Sequence, residues 1–146
     1  MLSDLYNERI LALAADIPRL GRLDAPDGSA THRSRLCGSQ VTVDVMVDEA
    51  GKVVDFGHDV RACALGQASS ALMADLVVGA DAAELAEVEA TVQAMLKGDG
   101  PVPEGRWAEL RVLEPVRAHK SRHASVMLTF SATREAVERA TQAAAA

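Results

Sequence analysis

Cysteine is scarce: Cys37 and Cys63 are the only thiols in 146 residues. Two cysteines cannot build a disulfide scaffold, and no C-x-x-C pair suggests a zinc ribbon or a thioredoxin-type couple. Aromatics are nearly absent, with Tyr6, Phe56, Trp107 and Phe130 the whole set, which excludes stacking platforms for bases. No apolar run approaches the roughly 18 residues of a membrane helix, because Asp75 and Asp81 break the longest. Positive charge is in deficit, with 15 Lys and Arg against 21 Asp and Glu for a net charge of −6. That balance argues against general nucleic-acid binding while leaving room for a local basic patch. The opening MLSDLYNER has neither the basic segment nor the apolar stretch of a signal peptide, so a cytoplasmic protein is expected. G-x-S-x-G, phosphate-loop and dinucleotide fingerprints are missing, and Ser, His and Asp fall in no triad order, so no catalytic residue is assigned.

The chain is 49% hydrophobic and 25% charged, too apolar for disorder and of a length for one domain, residues 1–146. Residues 2–15 carry Leu2, Leu5, Ile10, Leu13 and Ala14 near a helical period, and Pro18 and Gly21 end that helix. Residues 21–40, rich in Gly, Pro, Asp and Ser, read as a loop carrying Cys37. Val41, Val43, Val45 and Val47 then alternate with Thr42, Asp44 and Met46, the pattern of a half-buried strand. A second strand holds Val54, Phe56 and Val60. Putting both apolar sets on one face pairs Val47 with Val54 and Val41 with Val60, with Ala50-Gly51 as a two-residue turn. Extended outward, this register brings Cys37 beside Cys63 at the open end of the hairpin.

ALGQASSALMADLVVG reads as a helix ended by Gly79. Asp81 and Glu84 give a start signal for a helix through Lys97, stopped at Gly98. A loop over 98–105, a short segment over 106–113 and a last helix from near Ser121 toward Thr141 complete the chain. Val126, Leu128, Phe130, Ala132 and Val137 are its expected buried face.

The candidate site is the thiol pair. Cys37 lies in a Gly-flanked loop and Cys63 just before a helix, where the helix dipole favours a thiolate and Arg35 and Arg61 add to it. Thiolates suit soft metals and sulfur transfer, whereas the competing reading makes each cysteine a small buried apolar residue. The run Arg117, His119, Lys120, Arg122 and His123 offers a docking patch with a histidine ligand, or else a solvated basic helix start. His58, alternating with the apolar set of its strand, is more simply read as structural; a cysteine-nucleophile hydrolase would need a histidine near Cys37 or Cys63, and nothing singles out His32, His58 or His123 for that part.

The order of these features resembles the iron–sulfur cluster assembly scaffolds of the IscU and NifU N-terminal class. The resemblance rests on LCGS around Cys37, the valine hairpin, and CALGQASS from Cys63, which is similar to that family's Cys-x-x-small-x-Ala-Ser-Ser helix start. GDGPVPEGRWAEL resembles the insertion of the SufU branch, and the likeness spans about residues 5–137. It implies an α+β fold, a small antiparallel sheet of the 41–60 hairpin and an N-terminal edge strand, covered on one face by helices. It implies a scaffold that binds iron, an iron–sulfur cluster or zinc through Cys37 and Cys63. Cysteine desulfurase and apo iron–sulfur acceptor proteins are the implied partners, with neither nucleic acid nor membrane among them. The other readings are a persulfide acceptor and an interaction protein of the same fold without metal.

The ligand set departs from the family pattern. Ser39 stands where the family has Asp. Ser125 falls on the third cysteine when ASVMLTFSA is aligned without gaps; a one-residue shift puts His123 on the family histidine and Ala124 on the cysteine. Ser39, His123 and Ser125 are therefore the secondary ligand candidates.

Overall fold

A computed structural model of the chain describes residues 7–35, 38–98 and 100–145. Helix α1 (Glu8–Ala15) starts at Asn7, whose side-chain oxygen accepts the Ile10 amide at 3.0 Å, and it buries Ile10 and Leu13. The expectation of helix over residues 2–6 lies outside the described residues. Three strands follow, β1 (Gly28–Arg33), β2 (Gln40–Val47) and β3 (Val53–Arg61), in an antiparallel sheet ordered β1-β2-β3. Helix α2 (Ala64–Leu76), helix α3 (Ala82–Lys97), a 3-10 segment (Gly105–Ala118), a 3-10 turn (Lys120–Arg122) and helix α4 (His123–Ala145) complete the order. The architecture is α+β, as the resemblance implied.

The hairpin register agrees with the alternation from Val41↔Val60 through Met46↔Asp55. It then slips, so that Val47 faces Val53 rather than Val54. The reason is the turn. Asp48 accepts the Gly51 amide at 2.9 Å, Gly51 takes φ 80, and the Asp48 amide bonds the Lys52 carbonyl at 2.9 Å. This three-residue loop with a left-handed glycine carries a bulge, where the expected two-residue turn would carry none. The Asp48 carboxylate seals it by accepting the Ala50 and Lys52 amides.

Residues 21–40 are not one loop: they contain β1, whose Ala30 faces Val43 and whose Gly28 faces Val45. Those small residues are what the packing of α4 demands. A Cβ on Gly28 would lie 2.1 Å from the Ala136 carbonyl oxygen, so the α4 backbone rests directly on the strand. β2 also departs from its half-buried reading, since Thr42 and Asp44 are buried along with the valines. The second sheet face is covered by the chain after α1, where Gly21 and Leu23 press on Gly57. Asp44 is enclosed there by Arg22 Nε at 2.6 Å, the Leu23 amide at 3.0 Å and Ser29 Oγ at 2.5 Å.

The main core lies between the sheet and the helices, with Val41, Val43, Val45 and Phe56 against Leu65, Leu72, Val126, Phe130 and Val137. Full burial of a side chain of this size contributes about 1.5–3 kcal/mol. All five residues expected on the inner face of α4 are buried. Helix α3 begins and ends as its residues predict: Asp81 accepts the Glu84 amide at 2.9 Å, and Gly98 closes it at φ 98. The expected short segment over 106–113 is instead a fourteen-residue 3-10 run through Pro115, burying Trp107, Leu110, Leu113 and Val116 at about every third position.

Candidate functional site

Cys63 is the N-cap residue of α2, with extended backbone angles (φ −68, ψ 173) and no side-chain capping bond. A cysteine makes a poor cap, so the Cys63 side chain accepts no bond from the first turn of α2, and the half-buried thiol is free, in no disulfide. The approach to the helix is fixed from both sides. The Cys63 carbonyl accepts the Gln67 amide at 2.9 Å, and Gln67 Nε2 donates to the Ala62 carbonyl at 2.9 Å.

One turn into α2, Gly66 allows close approach by the first turn of α4. A Cβ at Gly66 would lie 3.3 Å from the Ser125 carbonyl oxygen and 2.7 Å from the Ala62 Cβ. Ser69 Oγ donates to the Val126 carbonyl at 2.7 Å, locking the two helix starts together. Ser125, only 4% exposed, is thus held beside the N-terminal end of α2.

At the same end of the sheet the chain reverses between β1 and β2. The Ser34 amide donates to the Ser39 carbonyl at 2.8 Å, the Gly38 amide donates to the Ser34 carbonyl at 3.0 Å, and Gly38 sits at φ 71. Ser39 is buried at the foot of this reversal. β2 begins at Gln40 opposite Arg61, the last residue of β3, so the 34–39 turn and Cys63 leave the sheet from the same end. Cys37 itself lies outside the described residues. Among the described residues, no three His, Cys, Asp or Glu side chains group as a metal site.

The histidines divide by role. His123 opens α4 and its Nε2 lies 2.9 Å from the Val116 carbonyl and 3.3 Å from that of Arg117, so that nitrogen carries the proton it donates and Nδ1 is the atom left for a ligand. His58 is fully buried in β3, donating from Nε2 to the Pro18 carbonyl at 2.9 Å. Burial pushes its pKa below the ordinary value near 6.5, against smaller opposing effects from the Pro18 bond and Asp59. His32 bonds Glu135 on α4 at 2.5 Å. His58 and His32 are fasteners of the fold.

Arg117 belongs to the fold too, donating from Nε to the Met95 carbonyl at 2.8 Å and so serving the end of α3. Arg61 is largely exposed, 3.6 Å from Asp59. The residues that sequence reasoning passed over are Asp44 and Arg22. An acid inside a valine alternation was the available signal, because a charge in a central strand must find a partner when covered.

The model of the NifU-like N terminal domain matches residues 5–138. The chain is 48% identical to the N-terminal part of a nitrogen-fixing NifU-like protein from Brucella abortus, with TM-score 0.92 over 97% of each chain. It is 23% identical, over 92% of this chain and 94% of the relative, to the iron–sulfur cluster assembly scaffold protein IscU of Thermotoga maritima. A putative iron–sulfur cluster assembly scaffold for the SUF system from Fervidobacterium islandicum shares the fold at TM-score 0.84 and 21% identity, covering 92% of this chain and 98% of that one. With its helix-capping cysteine, its valine hairpin and a family match over nearly its whole length, the chain belongs to the NifU-like N-terminal domain family, the class of iron–sulfur cluster assembly scaffolds.

Proposed function

We propose that this protein carries iron–sulfur cargo at the end of the sheet from which α2 and the 34–39 turn depart, beside the start of α4, with Cys63 and Cys37 as its thiolates. The observation that carries this reading is the placement of Cys63: a free thiol on the N-cap of α2, with Ser125 of α4 packed one turn away at Gly66. A negatively charged thiolate cargo at that position faces the first-turn amides of α2, which the Cys63 side chain does not cap. The cargo passes in from a cysteine desulfurase and out to apo iron–sulfur proteins of the cytoplasm.

Ser125 and Ser39 stand in place of a thiolate and a carboxylate, and a serine hydroxyl is a poor ligand for iron or zinc near neutral pH. Two thiolates leave a cluster short of its usual four protein ligands, so the cargo is bound weakly and released readily. His123, through Nδ1, is the protein nitrogen nearest in sequence to complete the set.

Anaerobic reconstitution with iron and sulfide, followed by visible absorbance and metal and sulfide analysis, tests the proposal. The native chain is expected to take up iron and sulfide in matched amounts, and Cys37→Ser and Cys63→Ser each to abolish uptake. Persulfide on Cys63 after incubation with a desulfurase, without any cluster, moves the role to sulfur acceptor. Equal uptake by native chain and both variants refutes the thiolate site.

A further inference from the structure

Away from the thiols, where the start of α3 meets the beginning of the 3-10 segment, lies a groove of about 280 Å³. Its walls are apolar, made of Val88, Pro103 and Trp107, all mostly buried, while the carboxylates of Glu84, Glu87 and Glu104 line it. One of these acids is already engaged. Glu84 Oε2 accepts from Trp107 Nε1 at 2.7 Å and from Arg106 Nε at 2.7 Å. The Arg106 guanidinium also stands over the Trp107 ring, 4.9 Å from its centre. The rim thus shows on its own residues the chemistry that it accepts: a guanidinium held between an indole face and a carboxylate.

Glu87 and Glu104 are exposed and have no cation within salt-bridge distance among the described residues. Two unpaired acids beside an apolar wall complement a side chain that is both apolar in its stem and cationic at its tip. We propose that this groove docks a basic segment of a protein partner, an arginine or lysine flanked by apolar residues, whose cation pairs with Glu87 and Glu104 and whose flanks rest on Trp107 and Val88. Arg106 at the groove donates to the carbonyl of Val78, just past the C-terminal end of α2, whereas Cys63 stands at the N-cap of that helix, so docking in the groove leaves the thiol end open.

Trp107 is the only tryptophan, so its fluorescence reports occupancy directly. The probe is acetyl-Leu-Arg-Leu-amide, compared with the same peptide carrying citrulline, the neutral isostere of arginine. The arginine peptide is expected to give a saturable change at millimolar concentration that weakens with added salt, and citrulline to give none. Glu87→Gln with Glu104→Gln, both exposed, should weaken binding about tenfold at unchanged far-ultraviolet dichroism. Arg106→Ala removes the resident cation and should tighten binding several-fold, which general damage to the fold cannot mimic. No response of the native chain, equal responses to both peptides, or indifference to the paired glutamine variant overturns the proposal. A fluorescence change that grows with protein concentration alone also overturns it, in favour of a second copy of this chain in the groove.

Discussion

His58 and Asp44 fasten the segment before β1 to opposite faces of the sheet, and they do so with opposite electrostatic logic. The His58 ring is buried against Phe56, with centroids 4.9 Å apart, and donates one bond. Burial disfavours its charged form, so the folded state binds a proton less readily than the unfolded chain. Stability held by His58 is therefore complete above about pH 6.5 and is lost as pH falls below that value toward the lower folded pKa. Urea unfolding of the native chain and His58→Gln between pH 5 and 8 should differ in slope by up to about 1.4 kcal/mol per pH unit on the acid side. Parallel curves would mean that the ring titrates as freely folded as unfolded. Asp44 resists the same burial because Arg22, Ser29 and the Leu23 amide donate to it, and these bonds hold its carboxyl below the usual range. Its contribution is lost only as pH falls through that depressed value, well below the window in which His58 acts.

At the scale of elements, the decisive contact is β1 under α4. Gly28 stands where a side chain would collide with backbone of Ala136 and Ala140, atoms that cannot turn aside. Gly28→Ala should cost about 3 kcal/mol or more, read as a lowered urea midpoint at unchanged denaturant slope. A loss under about 0.5 kcal/mol would mean that α4 does not rest on this strand. The same contact explains why β1 was legible only as the edge strand that the resemblance implied and not from its own residues. Its inner face consists of Gly28, Ala30 and His32, chosen for closeness to a helix rather than for apolar bulk, so no alternation marks the strand. β2, β3 and the caps of α3 were legible because valine alternation and the Asp81 and Gly98 signals are local. The slip at Val47 was not, since it follows from the conformation of Gly51 rather than from the apolar pattern. At the site, the helix-start position of Cys63 could be read directly from CALGQASS. The approach of Ser125 was legible only through the family resemblance and not from the residue pattern, because it depends on a close contact at Gly66 between helices far apart in sequence.

For the whole molecule, the sheet end and the groove form two separate surfaces joined by the 3-10 segment. At one, Cys63 stands at the N-cap of α2 and Ser125 of α4 packs against Gly66 one turn in; at the other, acids surround Trp107. Among the described residues, no helix is long and apolar enough to cross a membrane. In the proposed function the sheet end is a thiolate cargo site short of its third thiolate at Ser125. The measurement closest to that claim is a zinc competition titration of the native chain, Ser125→Cys and Cys63→Ser. Serine and cysteine differ little in volume, so Ser125→Cys changes the donor while leaving the packing against Gly66 in place. Ser125→Cys is expected to bind zinc at least about tenfold more tightly than the native chain, a gain of about 1.4 kcal/mol, and Cys63→Ser more weakly. Equal affinity of all three proteins would contradict that function.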